Sequence, residues 1–249
     1  LAFTEKNTIF QKKLNLHPKA EHLPCKFAQS NKQSINMNKQ SSIFFSPWEG
    51  NHYNYGIAGF DSNGHIIYGT ESSPGKKVLI LGDSHYCSKP DEAIPELTRN
   101  IIKDYIDPAT AFEYYKNTYT KFGRSLAGYA IDKLETIQLW EHVVFYNYVQ
   151  EPLSQPRQSP TSQQFANAET AFWEVVNRYN PDYIIVWGAR LYKSLPQKGR
   201  QGKDLEVDNG WSETWIFDPR IIVMPIIHPS SPQFSWEYTH RFIAAMFTL

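Results

Sequence analysis

Short, wholly apolar runs separated by amphipathic stretches organise the chain from residue 77 onward. Val78-Leu79-Ile80-Leu81, Val143-Val144-Phe145-Tyr146, Tyr183-Ile184-Ile185-Val186-Trp187 and the run from Ile221 to Ile227 are short and mostly rich in β-branched or aromatic residues. They lack the in-out alternation of a half-exposed strand, which predicts strands buried on both faces. Helical patterns fall between them. One region runs from Pro90 to Ile106 with Pro95 as an early breaker, and another from Tyr119 to Leu134. A third runs from about Gln163 to Tyr179, with Thr161 as its N-cap and Pro181 as its stop. Gly188 starts a turn into a short helix near 189–195, and the last helix spans 235–247. This alternation predicts a three-layer α/β/α domain with a short, mostly parallel central sheet.

Other segments fill in the organisation. Tyr53–Phe60 and His65–Tyr68 flank Asp61-Ser62-Asn63-Gly64, and an Asn-Gly pair between apolar runs predicts a β-hairpin, expected at an edge of the domain. Ser154–Ser162 reads as a Pro-, Gln- and Ser-rich loop, Gln197–Asn209 as a polar loop and Trp215–Phe217 as a strand. The first part of the chain is rich in Lys, Asn and Gln, so residues 1–50 read as a basic N-terminal arm and residues 51–249 as the α/β domain.

Composition changes this picture only locally. The 249 residues suit one large domain, and 41% hydrophobic content is ordinary for a soluble chain. Net charge is zero, so the total implies no partner. Its distribution says more: residues 1–45 hold seven lysines against Glu5 and Glu21, and Arg190, Lys193, Lys198, Arg200 and Lys203 follow one another with no acid between them. Such patches can track phosphates. Two cysteines, Cys25 and Cys87, form no metal-ligand spacing and no disulfide framework, which fits a reducing cytoplasm. No apolar run is long enough for a membrane span or a signal peptide. No phosphate-cradling or dinucleotide Gly-rich motif occurs, so neither cofactor nor metal is expected.

The candidate chemistry lies where the apolar runs end. Asp83, Ser84, His85 and Tyr86 follow the first, Asn147 and Gln150 the second, Trp187-Gly188 the third, and His228 the last. Open α/β sheets bind ligands at the carboxyl ends of their strands, so polar groups at four such ends point to one site. Taken singly, each is equally a turn residue that satisfies nearby backbone.

Gly82-Asp83-Ser84-His85-Tyr86, Phe145-Tyr146-Asn147, Trp187-Gly188-Ala189 and His228-Pro229-Ser230-Ser231-Pro232, in that order and each behind an apolar run, resemble the motifs of the uracil-DNA glycosylase superfamily. The similarity covers roughly residues 76–249. The resemblance implies a monofunctional enzyme, expected to be monomeric, that flips a base out of DNA and hydrolyses its N-glycosidic bond. It gives His228 the stabilisation of the departing base and Asp83 the positioning of water, with Ser84 or His85 assisting. Asn147 would read a pyrimidine edge and Tyr86 would flank the pocket. Ser230, Ser231, Phe234, Arg190 and Lys193 would contact DNA, with Gln233, Phe234 or Trp236 as a wedge and Arg241 as a phosphate ligand. The family's best-known branch carries Asp where Ser84 stands, and here the acid sits one place earlier. That departure leaves the base open, plain uracil or a hypermodified pyrimidine of phage DNA, and with it a role in repair or in defence.

Gly82-Asp83-Ser84 also resembles the opening block of the SGNH (GDSL-type) hydrolases, in which Ser84 would be the nucleophile and His228 its base. That family's Asp three residues before the His is replaced here by Pro225, and its Gly-x-Asn-Asp block is absent. A third reading is a nucleic-acid-binding module that keeps the fold without the reaction.

Overall fold

The computed structural model describes residues 41–155, 158–208, 210–217 and 220–249. The arm, as read from the sequence, lies outside the described residues up to residue 40. Residues 41–50 belong to the compact domain, with Phe45 and Trp48 buried in it. Trp48 starts a two-residue strand, β1 (Trp48–Glu49), and its indole N–H donates to the Trp140 carbonyl at 2.9 Å. The domain therefore begins earlier than the composition implied, because two aromatic side chains outweigh the polar residues around them.

The four apolar runs form the centre of the sheet. β4 (Val78–Gly82), β5 (Val143–Asn147) and β6 (Tyr183–Trp187) are buried at every position, and β11 (Ile221–Ile226) joins them. These four are mutually parallel, in the order β5-β4-β6-β11. Antiparallel strands close both margins: β1 lies on β5, and β10 (Trp215–Phe217) and β7 (Arg200–Gln201) extend the sheet beyond β11. Alternate residues along each strand feed two separate cores. Val78, Ile80, Phe145, Ile185 and Trp187 pack on one side, and Leu79, Leu81, Val144, Tyr146 and Val186 on the other. Helices α1 (Leu97–Ile106), α2 (Lys116–Ala127), α3 (Lys133–Glu141) and α7 (Trp236–Met246) contribute to the first core. Helices α4 (Ser162–Asn167), α5 (Glu169–Tyr179) and α6 (Ala189–Ser194) contribute to the second. The result is the three-layer α/β/α fold.

Several elements differ from expectation. The helix expected over 119–134 is two helices. Gly128 adopts the left-handed conformation that ends α2, and Asp132 caps α3 in a box with Glu135. The helical region from Pro90 is a 3₁₀ turn over Pro90–Glu92 and then α1. Thr161 caps as expected, but the helix behind it breaks at Ala168 into α4 and α5. The polar loop 197–209 contains β7 and also β8 (Leu205–Val207), which pairs with β9 (Gly210–Ser212). The hairpin forms as β2 (Ile57–Phe60) and β3 (Ile66–Tyr68), yet it makes its own two-stranded sheet. Its Phe60 meets His240 of α7 and Phe247 edge-on, so it packs on the helical layer.

Candidate active site

The strand register carries all four polar ends to one edge. Gly82 is level with Asn147 across β4 and β5, Leu81 with Val186 across β4 and β6, and Ile226 with Trp187 across β11 and β6. The chain leaves β4 toward β5 on one side and returns to β6 on the other. The β4/β6 boundary is therefore a topological switch point, where the loops diverge and leave a crevice. Asp83 follows β4 and His228 follows β11, two strand spacings away, or roughly 10 Å. Gly188, at φ 99°, follows β6 between them and carries no side chain of its own.

The loops behind β4 and β5 are stapled together. Tyr148 and Val149 donate backbone N–H groups to the Gly82 and Asp83 carbonyls, both at 2.9 Å; Leu153 donates to His85 and Cys87 to Leu153. This pairing sets the direction of each side chain in the first motif. Asp83 turns toward α6, where Arg190 donates from Nε (3.1 Å) and Nη2 (2.7 Å) to one carboxylate oxygen, Oδ2. Arg190 also bonds Ser159 in the loop before α4. The other carboxylate oxygen, Oδ1, and Oγ of the next residue, Ser84, are buried without a hydrogen-bond partner among the described residues. Two adjacent uncommitted polar atoms at a strand end are what a site for a small polar reactant needs.

His228 is held in a defined tautomer. The Ser230 backbone N–H points at its Nδ1 at 3.1 Å, and Ser230 Oγ lies 2.8 Å from the same atom. A backbone N–H can only donate, so Nδ1 accepts, and the neutral ring carries its proton on Nε2. Burial pushes the His228 pKa below its ordinary value; the Asp83 carboxylate works against that shift and the Arg190 guanidinium with it. These mutual influences also show that the three groups share one electrostatic environment. The Trp187 ring meets the imidazole edge-on, with centroids 5.7 Å apart.

His85 and Asn147 form a second arrangement beneath this edge. His85 is only 4% exposed, bonded through Nε2 to Thr98 Oγ1 of α1 at 2.8 Å and touched edge-on by Phe45. Burial drives its pKa down to about 3, so the ring is neutral. Asn147 Nδ2 lies 3.2 Å from Nδ1 and 3.0 Å from Nε2 of that ring. A point in the ring plane at these distances from both nitrogens would clash with the ring carbons, so Nδ2 rests over the imidazole face. On its other side is Gly82, where a Cβ would come within 2.1 Å of Asn147 Oδ1. The buried amide is thus held between the His85 ring, which meets its Nδ2, and the bare backbone of Gly82, which meets its Oδ1.

The remaining candidates divide. Tyr86 is 45% exposed beside the motif. Ser230 orients His228, and Ser231 holds the following turn by donating its N–H to the His228 carbonyl at 2.8 Å. His85 lies under the edge and touches Asn147, not the crevice. Phe234 is half-buried and packs against the first core. Trp236 opens α7, half-buried, and Gln233 is exposed. Arg241 is paired with Asp208. Lys193 lines a cleft beside β10 rather than the Asp83 edge. Gln150 is structural: its Oε1 accepts from the Phe44 and Phe45 N–H groups, and its Nε2 donates to the Asn147 carbonyl at 2.8 Å. Sequence reasoning missed Thr98, Phe45 and Ser159, whose contacts with the motifs arise only from packing.

Among the described residues no group of three or more His, Cys, Asp or Glu side chains is arranged to hold a metal ion, and no helix is long and apolar enough to cross a membrane. No protein-family model matches the chain, and no curated protein matches it.

Proposed function

We propose that the protein is a DNA glycosylase that hydrolyses the N-glycosidic bond of a flipped-out pyrimidine and leaves an abasic site, acting as a cytoplasmic monomer. The observation that carries this reading is the state of His228: neutral, with Nδ1 occupied by Ser230 and its N–H on Nε2. A neutral donor of that kind suits a base that leaves with negative charge, because it stabilises the developing anion without requiring prior protonation. The bond between C1′ and the base nitrogen breaks, and its electron pair departs with the base toward Nε2–H. Water adds its oxygen to C1′. Its proton passes to Asp83 Oδ1, the oxygen that Arg190 leaves uncommitted, and from there to solvent and the base anion. The Asn147 amide carries both a donor and an acceptor with which to read the base edge.

The same tautomer argues against a serine esterase. A Ser-His-Asp relay needs Nδ1–H donated to a carboxylate and Nε2 free to accept the serine proton. Here Nδ1 already accepts a backbone N–H, and Ser84 Oγ has no partner. The test is incubation with single- and double-stranded DNA carrying uracil or hypermodified pyrimidines, followed by alkali. Strand scission at the modified position is expected. DNA binding without scission on every substrate would replace this reading with the binding module, and fluorophosphonate labelling of Ser84 would replace it with the hydrolase.

A further inference from the structure

A second cleft, of about 420 Å³, lies between the end of α6 and β10. Phe217, Val223 and Leu195 form its floor, all nearly inaccessible to water. Its aromatic lining comes from Trp215 and Tyr192. The Trp215 indole N–H donates to the Lys198 carbonyl at 2.7 Å, which fixes the ring as a flat surface. The loop that supplies this carbonyl passes so close that a Cβ on Gly199 would fall 2.1 Å from the Ile216 carbonyl oxygen. Register confirms the arrangement: Trp215 is level with Gln201 across β10 and β7, and Gln201 and Phe217 share its face of the sheet.

Three polar groups at this cleft are uncommitted. Among the described residues the Tyr192 phenol has no hydrogen-bond partner, and burial, then the charges of Glu213 and Asp204, keep it protonated as a donor. Glu213 and Lys193 both line the cleft, yet neither forms an ion pair among the described residues. An apolar floor, an immobilised indole, a free carboxylate and a free ammonium make a specific set. The ring surface takes a planar heteroaromatic body. The carboxylate takes adjacent N–H donors on its edge, which guanine presents in pairs. The ammonium takes a phosphate as a point charge. Volume falls in the range of small-molecule sites.

We propose that this cleft binds a guanine nucleotide, with the base on Trp215, its N–H edge on Glu213 and its phosphate on Lys193. The inference does not rest on base excision. Arg190 of α6 serves Asp83, whereas Lys193 of the same helix serves the cleft, and binding can be measured without turnover.

The test is titration of the full chain with GMP, guanosine, UMP and free tryptophan, followed by tryptophan fluorescence and calorimetry. GMP is expected to bind more tightly than UMP or tryptophan. Glu213→Gln should weaken GMP about tenfold, the scale of one hydrogen bond to a charged group. Lys193→Met should abolish the preference for GMP over guanosine while leaving guanosine binding unchanged. Lys193 is exposed and Glu213 half-buried, and unchanged thermal melts would show that the variants fold. Equal affinity for GMP and UMP, unchanged GMP binding in Glu213→Gln, or binding of tryptophan alone would overturn the proposal. A short single strand with one dG, competed against GMP, separates the two sources of the ligand. Tighter binding of the strand assigns the cleft to a nucleotide of a nucleic acid, and tighter binding of GMP assigns it to the free nucleotide.

Discussion

His85 makes the fold acid-sensitive in a way that can be isolated. Its ring is neutral and buried under Asn147, with a pKa pushed down to about 3, against 6.5 for an exposed imidazole. The folded state disfavours the proton and the unfolded chain takes it up. Stability is therefore complete above 6.5, falls as pH drops below that value, and stops falling below about 3. Each pH unit inside the window costs about 1.4 kcal/mol per group. Only the part of the window below 6.5 counts between pH 7 and pH 5, so this one residue accounts for about 2 kcal/mol over that interval. His85→Phe keeps a flat ring under the Asn147 amide and removes the titration. His142, His228 and His240 also have lowered pKa values, but they remain in both proteins and cancel in the comparison. Urea unfolding at pH 7 and pH 5 measures the effect. The variant should lose about 2 kcal/mol less than the wild type on acidification, whatever its absolute stability. A pH-dependent loss equal in both proteins to within about 0.5 kcal/mol would refute the buried, neutral assignment of this ring.

Three further outcomes follow from the site. His228→Ala should lower the rate of abasic-site formation ~10²–10³-fold with an unchanged circular dichroism spectrum, since one preorganised donor is lost; an unaltered rate would remove His228 from the chemistry. Gly82→Ala places a methyl group against Asn147 Oδ1 and should cost about 1–3 kcal/mol in chemical denaturation while displacing the amide and reducing excision. Arg190→Met should leave stability within about 1 kcal/mol, because its ion pair is half-exposed on the arginine side. The same variant should slow excision by freeing the Asp83 carboxylate to rotate, and single-turnover kinetics would show it as a lower kcat.

The central sheet was legible because its strands are buried on both faces, and only uninterrupted apolar residues survive there. β4, β5, β6 and β11 announce themselves for that reason. The marginal strands do not. β1 and β7 have two residues each and owe their conformation to the neighbour they pair with. The break between α2 and α3 was readable in Gly128 and in Asp132-x-x-Glu135, and the apolar periodicity running across it hid the signal. At the site, sequence order placed Asp83, Asn147 and His228 on one edge because each follows a parallel strand. It could not show that Arg190 grips Asp83 across 107 positions, or that Thr98 and Phe45 fix His85. Those partners are ordinary residues in their own segments and acquire their roles through tertiary packing. The placement of Phe234 belongs to the same class: an aromatic after His228 reads equally as wedge or core, and only the fold shows it packed against the first core.

The segment leading into β1 also has a mechanical consequence. Phe44 and Phe45 hang by their amides from Gln150, and Gln150 in turn grips the Asn147 carbonyl, while the Phe45 ring props His85. Tension applied upstream of residue 41 would thus travel along a three-residue tether to the very amide proposed to inspect the base. Gln150→Leu, which leaves Phe45 and Trp48 in place, would cut that guy-rope, and discrimination between bases would slacken before the fold gave way.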